Sequence, residues 1–136
     1  MSVGEPRRAT GKIEVHTYEP RPYDDVPGGP QLVQVGVTEA FHGDIEGEGR
    51  VQFLQTMRPD GSASFVGIER VTGSIGGRSG SFVLQDQGTT DGKTVRGEWF
   101  VVSGSGTGDL VGLRGEGGFE AALGQGADIT LDYWFE

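Results

Sequence analysis

Apolar and polar residues alternate with a period of two over most of the chain, interrupted by clusters of Gly, Pro, Asp and Ser. That period is the mark of strands with one buried face. Gly11 to Glu19 sets Ile13, Val15 and Thr17 against Lys12, Glu14, His16 and Tyr18, and predicts a half-buried strand behind a loose tail over residues 1–10. Pro20 to Pro30 is too rich in Pro and Gly for an element and predicts a loop. Gln31 to His42 predicts a second strand, with Val33, Val35, Val37, Glu39 and Phe41 on one side and Gln34, Thr38 and His42 on the other. Residues 43–49 predict an acidic, glycine-rich bend, and Arg50 to Arg58 a third strand. Near the C-terminus, Arg114 to Ala122 predicts a strand with Phe119 and Ala121 inward. Leu123 to Ala127 predicts a loop, and Asp128 to Glu136 a last strand with Ile129, Leu131, Tyr133 and Phe135 on one side.

Between them, Ser62 to Val102 predicts three consecutive antiparallel strands joined by tight turns, and the turns set which side chains share a face. Arg58-Pro59-Asp60-Gly61-Ser62 matches a three-residue hairpin loop with Gly61 at the left-handed position, so Gln55 faces Phe65 and Val51 faces Glu69. A two-residue loop at Gly77-Arg78, or a four-residue loop around it, pairs Ile75 with Gly80 and Glu69 with Asp86. Asp91-Gly92, read as a two-residue turn with positive φ at both positions, pairs Asp86 with Gly97 and Leu84 with Trp99. One face then holds Phe65, Gly67, Glu69, Val71, Phe82, Leu84, Asp86, Val95, Gly97, Trp99 and Val101, joined by Val51, Phe53, Gln55 and Met57. This larger, more aromatic face is assigned to the interior. Eight antiparallel strands with no long helix predict a single all-β domain over residues 1–136, an eight-stranded closed β-barrel, with an open sandwich as the alternative.

Glycine, 26 of 136 residues, follows no collagen period and falls in turns and inside strands, where it marks bends. The formal charge of −9 argues against non-specific binding to nucleic acid or anionic membranes, which favour a basic surface. With no cysteine there is no disulfide, thiol nucleophile or thiolate metal site. MSVGEPRRATG lacks the apolar core of a signal peptide, and the expected location is the cytoplasm.

The segments GSGTGDLVGLRGEGGFEA (104–121) and SFVGIERVTGSIGGRSGSFVLQDQGT (64–89) resemble a bacterial family, domain of unknown function 3224. Its members are similar to the allene oxide cyclase and dirigent β-barrels, whose Gly-Thr-Gly-rich segment precedes the penultimate strand. The resemblance implies a closed barrel of that kind, lipocalin-like in architecture. Family members often carry His where this chain has Asp86. The cyclases use a catalytic Glu and a nearby Cys; this chain has no Cys, and no catalytic residue is carried over.

The candidate chemistry is Glu69 and Asp86, expected as cross-strand neighbours in the barrel, where desolvation and like-charge repulsion raise at least one pKa. Phe53, Phe65, Leu84 and Trp99 are the expected ligand wall, with Gln55 and Tyr133 supplying hydrogen bonds. A hydrated pair near the mouth, or one satisfied by Arg58 or another barrel arginine, is the bland alternative. His16 and His42 lack metal-ligand spacing and fall on the exterior face, so no metal site is assigned, and no cofactor is expected. Gly104-Ser105-Gly106-Thr107-Gly108 lacks the Lys-Ser/Thr ending of a phosphate loop and reads as barrel-corner geometry, followed by a short turn of helix at Asp109 to Leu113.

Three functions fit: a barrel binding an apolar or aromatic small molecule in its lumen, a cofactor-free isomerase or cyclase using Glu69 or Asp86 as acid and base, or a filled barrel with a structural or partner-binding role. On the exterior, Val66, Ile68, Val83 and Phe100, with Leu54 beside them, make an apolar patch rimmed by Gln85, Gln87, Arg96 and Glu98. A homo-oligomer, most simply a dimer, is expected through it.

Overall fold

The structure is a computed structural model, and it describes residues 5–122 and 125–136. Eight strands, β1 Arg7–Asp24, β2 Gln31–Gly43, β3 Ile45–Met57, β4 Ala63–Ile75, β5 Arg78–Thr90, β6 Thr94–Val101, β7 Leu113–Ala122 and β8 Ala127–Phe135, follow in chain order around a closed antiparallel barrel. Closure joins β1 to β8 from Arg7↔Tyr133 to Ile13↔Ala127. The closed barrel, not the sandwich, is the fold, because this pairing leaves no free edge along the joined length.

Several expected boundaries are corrected. Residues 7–10 belong to β1 and not to a tail, because β8 offers them a ladder; residues 1–4 lie outside the described set. The expected loop from Pro20 to Pro30 is strand as far as Asp24, paired through Pro20↔Val35 and Pro22↔Val33. Beyond Ile13, β1 has no partner on its other side among the described residues, so prolines that cannot donate to a ladder are tolerated on this edge. The expected bend at 43–49 is a tight turn at Gly43 and Asp44, after which β3 begins at Ile45. Gly47 and Gly49 continue the strand in the ladders to β2 and β4, and glycine is needed at both because a Cβ would strike the Thr72 backbone at Gly47 or the Glu69 carboxyl at Gly49. The expected loop from Leu123 to Ala127 lies partly outside the described residues, and Ala127 already opens β8.

The β3–β4 register is as expected, with Gln55↔Phe65 and Val51↔Glu69, and Gly61 takes φ +89°. The other two hairpins are each displaced by two residues. The β4–β5 turn is Gly76-Gly77, both at positive φ (59° and 80°), which pairs Ile75 with Arg78, Glu69 with Leu84 and Gly67 with Asp86. At β5–β6 only Gly92 has positive φ. The Asp91 carboxylate accepts from the N–H groups of Lys93 and Thr94, both at 2.8 Å, and this side-chain turn widens the loop. Thr90 therefore pairs with Val95, Asp86 with Trp99 and Leu84 with Val101. A shift of two keeps every side chain on its face, so the interior assignment holds through both errors. Met57, at the strand end, is exposed.

Strand β6 is too short to cover the first half of β5. The connection after it takes that place: Val102 N–H donates to the Val83 carbonyl (2.8 Å), and Thr107 N–H to that of Ser81 (2.8 Å). Ser105 Oγ accepts from Val83 N–H (3.0 Å), and Thr107 Oγ1 from Ser81 N–H (3.0 Å). The Gly-Ser-Gly-Thr-Gly run is thus a seal on a sheet edge, and its 3-10 turn, Gly108–Leu110, drives Leu110 fully into the core at that end.

Candidate functional site

Three carboxyl groups are buried in the barrel, Glu39 from β2, Glu69 from β4 and Asp86 from β5, at 7%, 1% and 4% exposure. Among the described residues no cationic side chain is buried with them. Arg58, the partner considered from sequence, lies outside and donates to Ser62 Oγ (3.2 Å) and Ser64 Oγ. Glycines make the room. A Cβ on Gly49 would overlap Glu69 Oε2 and come within 2.9 Å of the Phe41 ring, and one on Gly67 would lie 2.7 Å from Asp86 Oδ1 and 2.6 Å from the Phe53 ring. The period-two pattern therefore places the acids inward, and the inward glycines of β3 and β4 decide that carboxyls fit there.

Glu69 and Asp86 share the interior, but they are not direct cross-strand partners: Leu84 stands opposite Glu69, and Trp99 opposite Asp86. The nearer partner of Glu69 is Glu39, with which its carboxyl is hydrogen-bonded. Glu39 is absent from the expected pair; its signal in the sequence is its place among Val33, Val35, Val37 and Phe41. Burial raises Glu69 well above the ordinary carboxylate range, the bond to Glu39 and the Glu39 and Asp86 charges adding to it. Burial also raises Glu39, against which the bond from Glu69 acts. The same cause, with the charge of Glu39 second, pushes Asp86 up to about 7. Glu69 Oε2 and Asp86 Oδ1 have no hydrogen-bonding partner among the described residues. A buried acceptor left so costs about 1–3 kcal/mol.

Aromatic rings surround the acids. Phe41 contacts Trp99 (ring centroids 6.3 Å), Trp99 contacts Phe119 (5.0 Å), Phe119 contacts Phe65 (6.2 Å) and Phe65 contacts Phe53 (5.3 Å), a continuous chain through the lumen. Trp99 is held by its indole N–H, which donates to the Thr130 carbonyl at 3.0 Å. Phe53 and Gln55 are half-buried near the β3–β4 turn, with Phe65 opposite Gln55, at one end of the barrel. Tyr133 is not part of this site. Its hydroxyl lies beside Gly76, in the turn at the opposite end of β4, about 23 Å along the strand from Glu69 at ~3.3 Å per residue, and its ring packs on Phe135. Tyr133 and Gln55 therefore cannot serve one ligand, because the register sends them to opposite ends of the barrel.

On the outer wall, Leu54, Val66, Ile68 and Phe100 are exposed, with Leu54 directly opposite Val66. They line a groove of about 900 Å³ whose rim carries Glu98, Glu116 and Asp132. Val83 departs from expectation. It is half-buried, its backbone is bonded by Val102 and Ser105, and Phe100 faces Gln85 instead. His42 sits on the exterior, 3.4 Å from Glu14 and 3.7 Å from Glu46, and no cluster among the described residues has the makings of a metal site.

No curated protein matches the chain. The crystal structure of a protein of unknown function from the DUF3224 family, from Shewanella oneidensis MR-1, is 34% identical; the match covers 97% of this chain and 99% of that one, with a TM-score of 0.82. The model of the family described as "Protein of unknown function (DUF3224)" matches residues 9–133, so that nearly all of the barrel and all three of its buried acids lie within it: the chain belongs to the DUF3224 family.

Proposed function

We propose that the barrel binds a small molecule with an aromatic or apolar body, inserted from the mouth at Phe53, Gln55 and Phe65 so that its polar group meets the carboxyls. The observation that carries this reading is the pair of unpartnered oxygens, Glu69 Oε2 and Asp86 Oδ1, in an otherwise apolar interior. A core selected only to be filled gains more from apolar residues there, because a buried carboxyl without partners opposes folding. Phe53 and Phe65 stand at the β3–β4 end of the wall, and deeper in Trp99 is pinned by its hydrogen bond. Leu84, fully buried beside Glu69, forms the floor.

Trp99 supplies the readout. With Trp134→Phe it is the sole tryptophan, and a neutral aromatic fluorophore such as N-phenyl-1-naphthylamine in the lumen takes up its excitation energy. Saturable transfer at one probe per barrel is the expected result. Absence of transfer at probe concentrations up to its solubility would count against a lumenal ligand.

A second reading, a cofactor-free isomerase, is favoured by one feature: a carboxyl titrating at about 7 accepts and returns a proton at neutral pH without a cofactor. In it, Asp86 takes a proton from a substrate carbon and delivers it to another, while the aromatic walls fix the substrate's conformation.

A further inference from the structure

We propose that Glu39, Glu69 and Asp86 form a recognition site for an organic cation, a protonated amine carried on an aromatic or apolar body. The proposal rests on the lumenal-binding reading above and names the class of ligand. The lumen offers acceptors and almost no donors. Around the acids the inward side chains are apolar; the other polar ones on that face stand at the two ends, Gln55 and Thr90 at one, Tyr133 and the exposed Arg78 at the other, and the Trp99 N–H is already given to Thr130. Beside the acids, a ligand presenting a carboxylate, phosphate or carbonyl finds only carboxyl protons to accept. A ligand presenting N⁺–H groups finds two unpartnered oxygens, and once Asp86 is ionised its bond is charge-assisted, about twice as strong as a neutral one. No protein cation competes for them among the described residues. The Phe41 ring lies beside Glu69 over Gly49 and Trp99 stands opposite Asp86, and aromatic faces attract cations through their quadrupole. The chain's charge of −9 draws cations and repels anions at long range.

Binding depends on the protonation of the cluster. The titratable groups facing Asp86 are Glu69 on β4 and Glu39 on β2. The inward residues of β3, β6 and β7 and the neighbouring ones of β8 carry no titratable side chain, and Tyr133 of β8 lies at the other end. With Asp86 at about 7, its ionised fraction rises from about one tenth at pH 6 to about nine tenths at pH 8. Amine affinity therefore rises about tenfold over that interval.

The test compares three probes of similar shape by calorimetry and Trp99 fluorescence on the Trp134→Phe protein: 2-phenylethylamine, 2-phenylethanol and 3-phenylpropionate. At pH 8 the amine is expected to bind about tenfold or more tighter than the alcohol, and the carboxylate weakest. Asp86→Asn, checked for fold by circular dichroism, should flatten the pH dependence and erase the preference. Glu69→Gln provides the same comparison if Asp86→Asn fails to fold. Equal affinity for amine and alcohol, with no pH dependence, would overturn the cation assignment and leave the lumenal site standing. Tighter binding of the alcohol that weakens above pH 7 would overturn it as well, since the acids would then act as neutral donors. If only N-phenyl-1-naphthylamine binds, the cation class falls alone; if no probe binds, both readings fall.

Discussion

Replacing Asp86 by Asn isolates the energetic consequence of placing a carboxyl in this core. Burial raises the Asp86 pKa from 3.8 to about 7. A raised carboxyl pKa means that the folded state holds the proton more tightly than the unfolded one, so stability is lost as pH rises between the two values and the loss is complete above the higher. At about 1.36 kcal/mol per pKa unit, the full penalty is about 4 kcal/mol at pH 8, of which roughly 1.5 kcal/mol is already present at pH 5. Asn has the same shape and no charge. Its buried amide carries its own cost, about 1–3 kcal/mol, but that cost does not vary with pH. The stability of Asp86→Asn relative to the natural protein is therefore expected to rise by about 2.5 kcal/mol between pH 5 and pH 8, whatever its absolute value. Removal of the Asp86 charge also relaxes Glu69 downward, in the same direction. Urea unfolding of both proteins at each pH, followed by circular dichroism, gives the difference directly, and the range lies above the isoelectric point near 4.6. A stability difference that stays constant over these pH values would refute the claim that Asp86 is desolvated and held partly protonated.

Gly49→Ala places a methyl against Glu69 Oε2 and the Phe41 ring, and a loss of about 1–3 kcal/mol is expected in chemical unfolding; a neutral result would show that the acid cluster shifts freely. Thr107→Val removes the hydroxyl that accepts from Ser81 N–H and should cost about 1–2 kcal/mol, with faster amide exchange confined to the first half of β5; unaltered exchange at Ser81 would argue against the sealing role. The outer face of Leu54, Val66, Ile68 and Phe100 is proposed as a self-association surface: Phe100→Asp should convert a dimer to monomer by light scattering with the circular dichroism unchanged, and a natural protein already monomeric at micromolar concentration would remove the basis for it.

The period-two pattern by itself determined that the chain is all-β and which residues face inward. That assignment is insensitive to loop length so long as parity is kept, which is why Glu69, Asp86 and Trp99 share the interior even though two hairpins are paired two residues away from expectation. Arg58 to Ser62 was legible in register because Pro59 and Gly61 constrain the same turn from both sides. Local sequence did not determine how far strands extend. Prolines and glycines signal loops, but in β1 and β3 the ladders of β2 and β4 override them. Nor could it place residues along the barrel axis. Gln55 and Tyr133 both point inward, yet they lie at opposite ends, because height depends on the summed stagger of all eight strands. Glu39 came to Glu69 for the same reason: β2 and β4 are not adjacent, and only the curvature of a closed sheet lets side chains from strands separated by β3 meet, over the space left by Gly49.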